Sequence, residues 1–248
     1  MKTLITFVEM KSSNSLFSYV VRLIGRSFIP FSFIFMLIAI LVAAPAFAQT
    51  VWTDWTSFTA GAPGSAAGTL NGVAVTYTGE VDSAVTNGTA SNWAPNSSFI
   101  GGTVTTSPST VGDIITLNGN FTGIDTITFS SPIVNPVFAI WSLGAPGNSA
   151  SFTFNLTPTV EAGGPNAQFG GAAITVLGNV VSGNEGNGVV QFAGSVTSLT
   201  FTSTFETFYG FTVGTAQGGS AVPEPATLLL LGAGLVGLIG LRRKTEEQ

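Results

Sequence analysis

Between residues 49 and 217 the chain consists of short stretches rich in Thr, Val, Ile and Phe, separated by clusters of Gly, Asn, Pro and Ser. Residues 73–78, 125–130, 151–156 and 198–202 are examples. In 151–156 the apolar side chains fall on Phe152, Phe154 and Leu156, every second position. That period buries one face and leaves the other polar, as in an antiparallel sheet. Asn71-Gly72, Asn87-Gly88, Asn118-Gly119 and Asn187-Gly188 are turn signals beside such runs. No long amphipathic helix interrupts them. Roughly ten or more strands at this spacing predict an all-β fold over 49–217, an antiparallel jelly-roll-like β-sandwich. A right-handed β-solenoid competes with it but would need a fixed repeat period, which is not found.

The two ends follow a different pattern. Arg22 and Arg26 precede an apolar stretch, 28–42, that leads into Ala43-Ala44-Pro45-Ala46-Phe47-Ala48-Gln49. Ala46 and Ala48 form an A-x-A cleavage site, which predicts a signal peptide over 1–48, cut by signal peptidase to leave Gln49 at the mature N-terminus. The long basic region leaves a start at Met10 open. A permanent anchor is the alternative, disfavoured by Pro45 and its small neighbours. At the other end, 218–248 holds a Gly-Gly-Ser linker, then Pro223-Glu224-Pro225, then 226–241, uncharged and apolar but for Thr227, and then Arg242-Arg243-Lys244. A helix over 226–241 would span roughly 24 Å, short against a hydrocarbon core of about 30 Å, yet the segment reads as a single transmembrane helix. Basic residues outside both apolar segments put both termini inside and translocate the middle.

Val222-Pro223-Glu224-Pro225, a short Leu/Gly-rich helix and a basic end closely resemble the PEP-CTERM sorting domain, a tail also named the ice-binding protein C-terminal domain. The resemblance covers 222–244. It implies processing near Pro223-Glu224-Pro225 by exosortase, after passage as an inner-membrane intermediate. The expected destination is the cell surface or extracellular matrix of a Gram-negative bacterium that makes exopolysaccharide. An ordinary tail anchor would not need the Pro-Glu-Pro motif. Residues 132–144, 185–192 and 209–214 resemble a recurrent type of PEP-CTERM ectodomain, which bears on fold and export only.

Charge narrows the chemistry. The only basic residues are Lys2, Lys11, Arg22, Arg26, Arg242, Arg243 and Lys244, so none lies between Arg26 and Arg242. Asp54, Glu80, Asp82, Asp113, Asp125, Glu161, Glu185 and Glu206 remain in the exported part. Nucleic acid is therefore excluded as a partner, since nothing there neutralises phosphate. The chain has no His and no Cys. It thus lacks the usual neutral-pH base, the commonest zinc ligand and all thiol chemistry.

Any catalysis would have to run on carboxylates, and Glu185 with Glu206, both beside aromatic strands, are the pair to consider for glycoside hydrolysis. The competing explanation is solubility of an otherwise uncharged domain. No cofactor is expected, with calcium as the one candidate because it takes oxygen ligands. Asn184, Glu185 and Asn187 supply such donors, as do Glu80 and Asp82, although a plain hairpin turn accounts equally for 184–188. Among Trp52, Trp55, Trp93 and Trp141, Trp93 beside Ala94-Pro95 reads as the exposed one, a platform for a sugar ring. Trp141 reads as core. The Thr-rich run 197–204 raises ice binding, but no common register is evident between the Thr-rich strands. The expectation is a non-catalytic surface or matrix protein associated with exopolysaccharide or biofilm. A lectin-like module or a carboxylate-dependent glycan hydrolase with the same tail is the alternative.

Overall fold

A computed structural model describes residues 49–216 except Thr89, Ala90, Thr110 and Val111. The predicted signal peptide with Ala46 and Ala48, and the tail with Pro223, Glu224, Pro225 and Arg242 to Lys244, lie outside the described residues. Among those described there is no α-helix, only a 3-10 turn at Asn96–Ser98, and no helix long and apolar enough to cross a membrane.

The strands form two sheets that are antiparallel apart from one short pairing. In the first, β1 (Val51–Trp52), β5 (Ser83–Val85), β6 (Ile114–Leu117), β8 (Pro136–Leu143), β10 (Pro158–Gly163), β11 (Ala172–Ala173), β14 (Gly186–Phe192) and β16 (Tyr209–Thr215) pair around the order β10-β14-β8-β16-β6-β5. The second contains β2 (Asp54–Thr59), β3 (Gly61–Leu70), β4 (Val73–Val81), β7 (Asp125–Val134), β9 (Ala150–Phe154), β12 (Thr175–Leu177), β13 (Val180–Gly183) and β15 (Ser195–Ser203). Its order is β12-β13-β9-β15-β7-β4-β3-β2. From β6 to β9 and again from β13 to β16, each successive strand lies in the opposite sheet.

Local chemistry accounts for several boundaries. The β3–β4 hairpin turns on Asn71 and Gly72 at φ 51° and 81°, the paired positive values that a two-residue turn requires. In β9 the predicted alternation holds: Phe152 and Phe154 are buried while Thr153 is exposed. Asn187-Gly188 is not a turn. It lies inside β14, where a Cβ on Gly188 would come within 2.2 Å of the Ala162 carbonyl oxygen. Nor is 184–188 a hairpin, because β13 and β14 belong to different sheets.

Between the sheets Phe138 sits at the centre of an aromatic cluster. It stacks on Phe211 at 4.8 Å and meets Phe152, Phe154 and Phe201 edge-on at 5.6, 5.2 and 5.6 Å. The first sheet is covered on its outer face as well. Trp93, Phe99 and Val104, from the segment between β5 and β6, pack on Ile114, Val137, Ala139, Trp141 and Val189. This explains why β8 is buried at every position and apolar from Pro136 to Trp141, since a strand buried on both faces has no polar side to alternate with.

It also corrects the expectation for Trp93. That ring is fully buried, edge-on to Phe99 at 5.2 Å, because the segment carrying it folds down as a cover on the sheet.

The outer face of the second sheet is hydroxylated and in register. Thr78 pairs with Thr126 and Thr126 with Thr200; Thr76 pairs with Thr128 and Thr128 with Ser198. A common register absent from the linear sequence is thus created by strand pairing. Adjacent strands nevertheless rotate by about 20–25° in a twisted sheet, so such rows need not form a plane.

Candidate functional site

Because the strands alternate between sheets, the β6–β7, β8–β9, β13–β14 and β15–β16 connections meet at one end. Glu206 N–H donates to the Asn118 carbonyl at 2.9 Å, Thr204 N–H to the Ser151 carbonyl at 3.0 Å, and Glu185 N–H to the Gly144 carbonyl at 3.1 Å. Loops held on a sandwich in this way are a usual location for binding residues.

The end of β8 is unusual. Ser142 has φ 57° and Glu185 φ 56°, left-handed values rare outside glycine. Opposite Ser142 the β14–β8 register shifts between Gly186 and Gly188. The bulge returns Leu143 to the core that Phe138 and Ile140 occupy. It also takes Ser142 N–H off the ladder, and the side chain of Asn187 accepts it at 2.8 Å.

Asn187 is fully buried and uses its whole amide. Its Oδ1 accepts from Ser142 N–H and from Asn166 Nδ2 at 3.0 Å, and its Nδ2 donates to the carbonyls of Glu185 at 2.8 Å and Gly170 at 3.4 Å. Ser142 Oγ donates to the Glu185 carboxylate. Asn187→Asp should therefore be costly: it keeps volume and the Oδ1 acceptor but sets a second oxygen against two carbonyls. A loss of at least about 2 kcal/mol in denaturant unfolding at pH 8 is expected.

Two loops present aromatic rings here. Asn166 Oδ1 accepts Gln168 N–H at 2.8 Å and Phe169 N–H at 2.6 Å, which shapes the turn carrying Phe169. Glu206 Oε2 accepts Phe208 N–H at 3.2 Å. Phe169 and Phe208 are 55% and 39% exposed. Both contact buried Trp141, with ring centroids 5.7 and 5.3 Å away. The Trp141 indole N–H has no hydrogen-bond partner.

Glu206 is buried, which raises its carboxyl pKa; hydrogen bonds from Phe208 and Thr207 oppose this, and the negative charge of Glu185 adds to it. The two glutamates singled out in the sequence are thus brought close enough to interact. Glu185, Asn187 and Glu206 converge on this end, whereas Trp93 belongs to the buried cover. Asn184 is exposed. Phe169 and Phe208 were not singled out, because lone Phe residues among Gly and Thr carry no sign of exposure.

A second acidic group lies nearby. Asp125 is fully buried: its Oδ1 accepts Tyr77 O–H at 2.6 Å and Glu80 N–H at 2.8 Å, and its Oδ2 has no partner. The Glu80 carboxylate accepts Gly119 N–H at 2.7 Å and Asn120 N–H at 3.3 Å, while Asp82 is exposed. Among the described residues no three acids come together as a metal-holding group.

The fold and this loop end define an all-β, two-sheet domain with aromatic and acidic side chains gathered on one set of loops. Residues 221–244, at the C-terminus, match the PEP-CTERM protein-sorting motif, and the match includes Pro223-Glu224-Pro225 and Arg242-Arg243-Lys244. The chain is accordingly an exported bacterial protein sorted to the cell exterior by exosortase. No curated protein and no solved structure matches it.

Proposed function

We propose that this protein is a non-catalytic component of the cell surface or extracellular matrix, associated with the exopolysaccharide of a Gram-negative biofilm. The observation that carries this reading is the sorting motif at 221–244, joined to a domain with no basic residue between Arg26 and Arg242. Signal peptidase cuts after Ala48. The apolar segment 226–241 holds an inner-membrane intermediate, and exosortase then processes near Pro223-Glu224-Pro225. The domain is read as a jelly roll, a reading supported by the alternation of β6–β9 and β13–β16 between sheets.

The Glu185 carboxylate accepts a hydrogen bond from the Ser142 hydroxyl, and the Glu206 carboxylate accepts one from the Phe208 N–H. Both carboxylates are engaged in holding loops, which favours a scaffold over turnover. A second reading, a lectin-like module, is favoured by the exposed Phe169 and Phe208.

Intact mass of the exported protein tests the sorting route, with Gln49 as its first residue and the segment after Pro225 absent. Deleting Arg242-Arg243-Lys244, or replacing Pro223-Glu224-Pro225 with alanines, should trap the protein in the inner membrane. Normal surface delivery of both variants would refute the sorting route.

A further inference from the structure

The geometry points to the Phe169–Trp141–Phe208 trio as a binding site for an uncharged, pyranose-based glycan. This rests on the reading of the domain as matrix-associated and assigns the contact to one place.

The first ground is exposure that is built rather than incidental. Phe169 and Phe208 lie on different loops, between β10 and β11 and between β15 and β16, yet both rings reach the same buried indole, at 5.7 and 5.3 Å. Each is held by its own main-chain N–H. Phe169 donates to buried Asn166 at 2.6 Å and Phe208 to buried Glu206 at 3.2 Å. Aromatic side chains fixed in this way present apolar area with little left to order on binding. The carbon-bound hydrogens of a pyranose face complement such a ring.

The second ground is a rigid support. Trp141 is 1% exposed and packed in the outer core of the first sheet, so the indole on which both rings rest is fixed before a ligand arrives.

The third ground is charge. The Glu185 and Glu206 carboxylates lie at this end, on Ser142 and Phe208, and no Lys, Arg or His lies between Arg26 and Arg242. Carboxylates accept from sugar hydroxyls and repel uronate, sulfate or phosphate groups, and there is no cation to hold an anionic polymer. A few placed polar groups around an aromatic surface is the usual composition of a small-ligand site. This charge pattern rejects an anionic glycan and leaves an uncharged one free to bind.

The test is affinity electrophoresis of the exported protein through native gels containing dextran, laminarin or galactomannan, with alginate as the anionic polymer. Retardation by at least one neutral polymer and none by alginate is expected. Phe169→Leu with Phe208→Leu keeps apolar packing on Trp141 but removes both ring faces, and should weaken retardation at least tenfold. Phe58→Leu, which changes an exposed ring on β2, should leave it unchanged. Near-UV circular dichroism verifies that each variant is folded. No retardation by any of the three neutral polymers, retardation by alginate alone, or full retardation of the folded double variant would each overturn the assignment. Co-purification with the host's own exopolysaccharide is scored separately, so failure of the matrix reading is distinguished from failure of this site.

Discussion

Phe138→Ala should cost about 3–5 kcal/mol of unfolding free energy, the range for an aromatic side chain removed from a closed core. Phe138 is fully buried on β8 and touches four other rings, stacked on Phe211 and edge-on to three from the opposite sheet. Phe152, Phe154 and Phe201 come from β9 and β15, so the cavity would open at the seam between the sheets rather than inside one of them. Collapse into it would need both sheets to move. The measurement is the urea midpoint with the slope unchanged. Phe58→Ala, at an exposed ring, should stay within about 0.5 kcal/mol. A Phe138→Ala loss below about 1 kcal/mol would show that this cluster is not what joins the sheets.

Acidification from pH 7 towards pH 4 should stabilise the domain, the reverse of ordinary acid denaturation. Burial pushes the Asp125 carboxyl from the ordinary 3.8 up to about 6, against hydrogen bonds from Tyr77 and Glu80 that favour its charge. Asp113 is raised to about 6 by burial first, with Asp54 adding repulsion and Trp55 N–H opposing. Burial raises Glu206 in the same direction.

A carboxyl whose folded pKa lies above its unfolded value holds its proton more tightly when folded. Its stabilising contribution is complete below about 3.8 and is lost as pH rises through about 6. For fully buried Asp125, at 1.36 kcal/mol per pH unit, this amounts to about 3 kcal/mol. Asp113, half-buried, contributes less. Asp125→Asn keeps an acceptor for Tyr77 and Glu80 and cannot titrate, so its stability should vary far less between pH 4 and 7. Urea midpoints across that range decide the matter. A wild-type midpoint that falls on acidification, or an Asp125→Asn variant with the wild-type slope, would contradict this account of the buried acid.

The residues differ in how much of their role could be read from the chain alone. The β9 alternation of Phe152 and Phe154 was legible because period and burial are one property in a strand with a single buried face. Asn71-Gly72 was legible because its backbone angles are a local requirement. Asn187-Gly188 has the same dipeptide chemistry but lies within a strand. There the asparagine replaces a ladder partner lost at a bulge, and the glycine admits a neighbouring carbonyl. Both needs arise from strands distant in sequence.

Trp93 was misplaced for the same reason. Its neighbours describe a loop, and only the path of that loop across the first sheet determines that its ring is covered. The loop end divides similarly: Glu185 and Glu206 stood out as carboxylates beside aromatic strands, whereas the meeting of Phe169 and Phe208 on Trp141 depends on two loops separated in sequence by β11 to β15. The rows Thr78–Thr126–Thr200 and Thr76–Thr128–Ser198 exist only through pairing.

The sequence by itself determined the strand-rich class, the absence of positive charge from the exported domain, and the sorting motif at 221–244. Composition, short-range period and a linear signal are properties of neighbours along the chain. The tertiary structure alone decided which rings are buried, which carboxyls lose their water and which loops share an end, because burial and proximity are set by residues far apart in sequence.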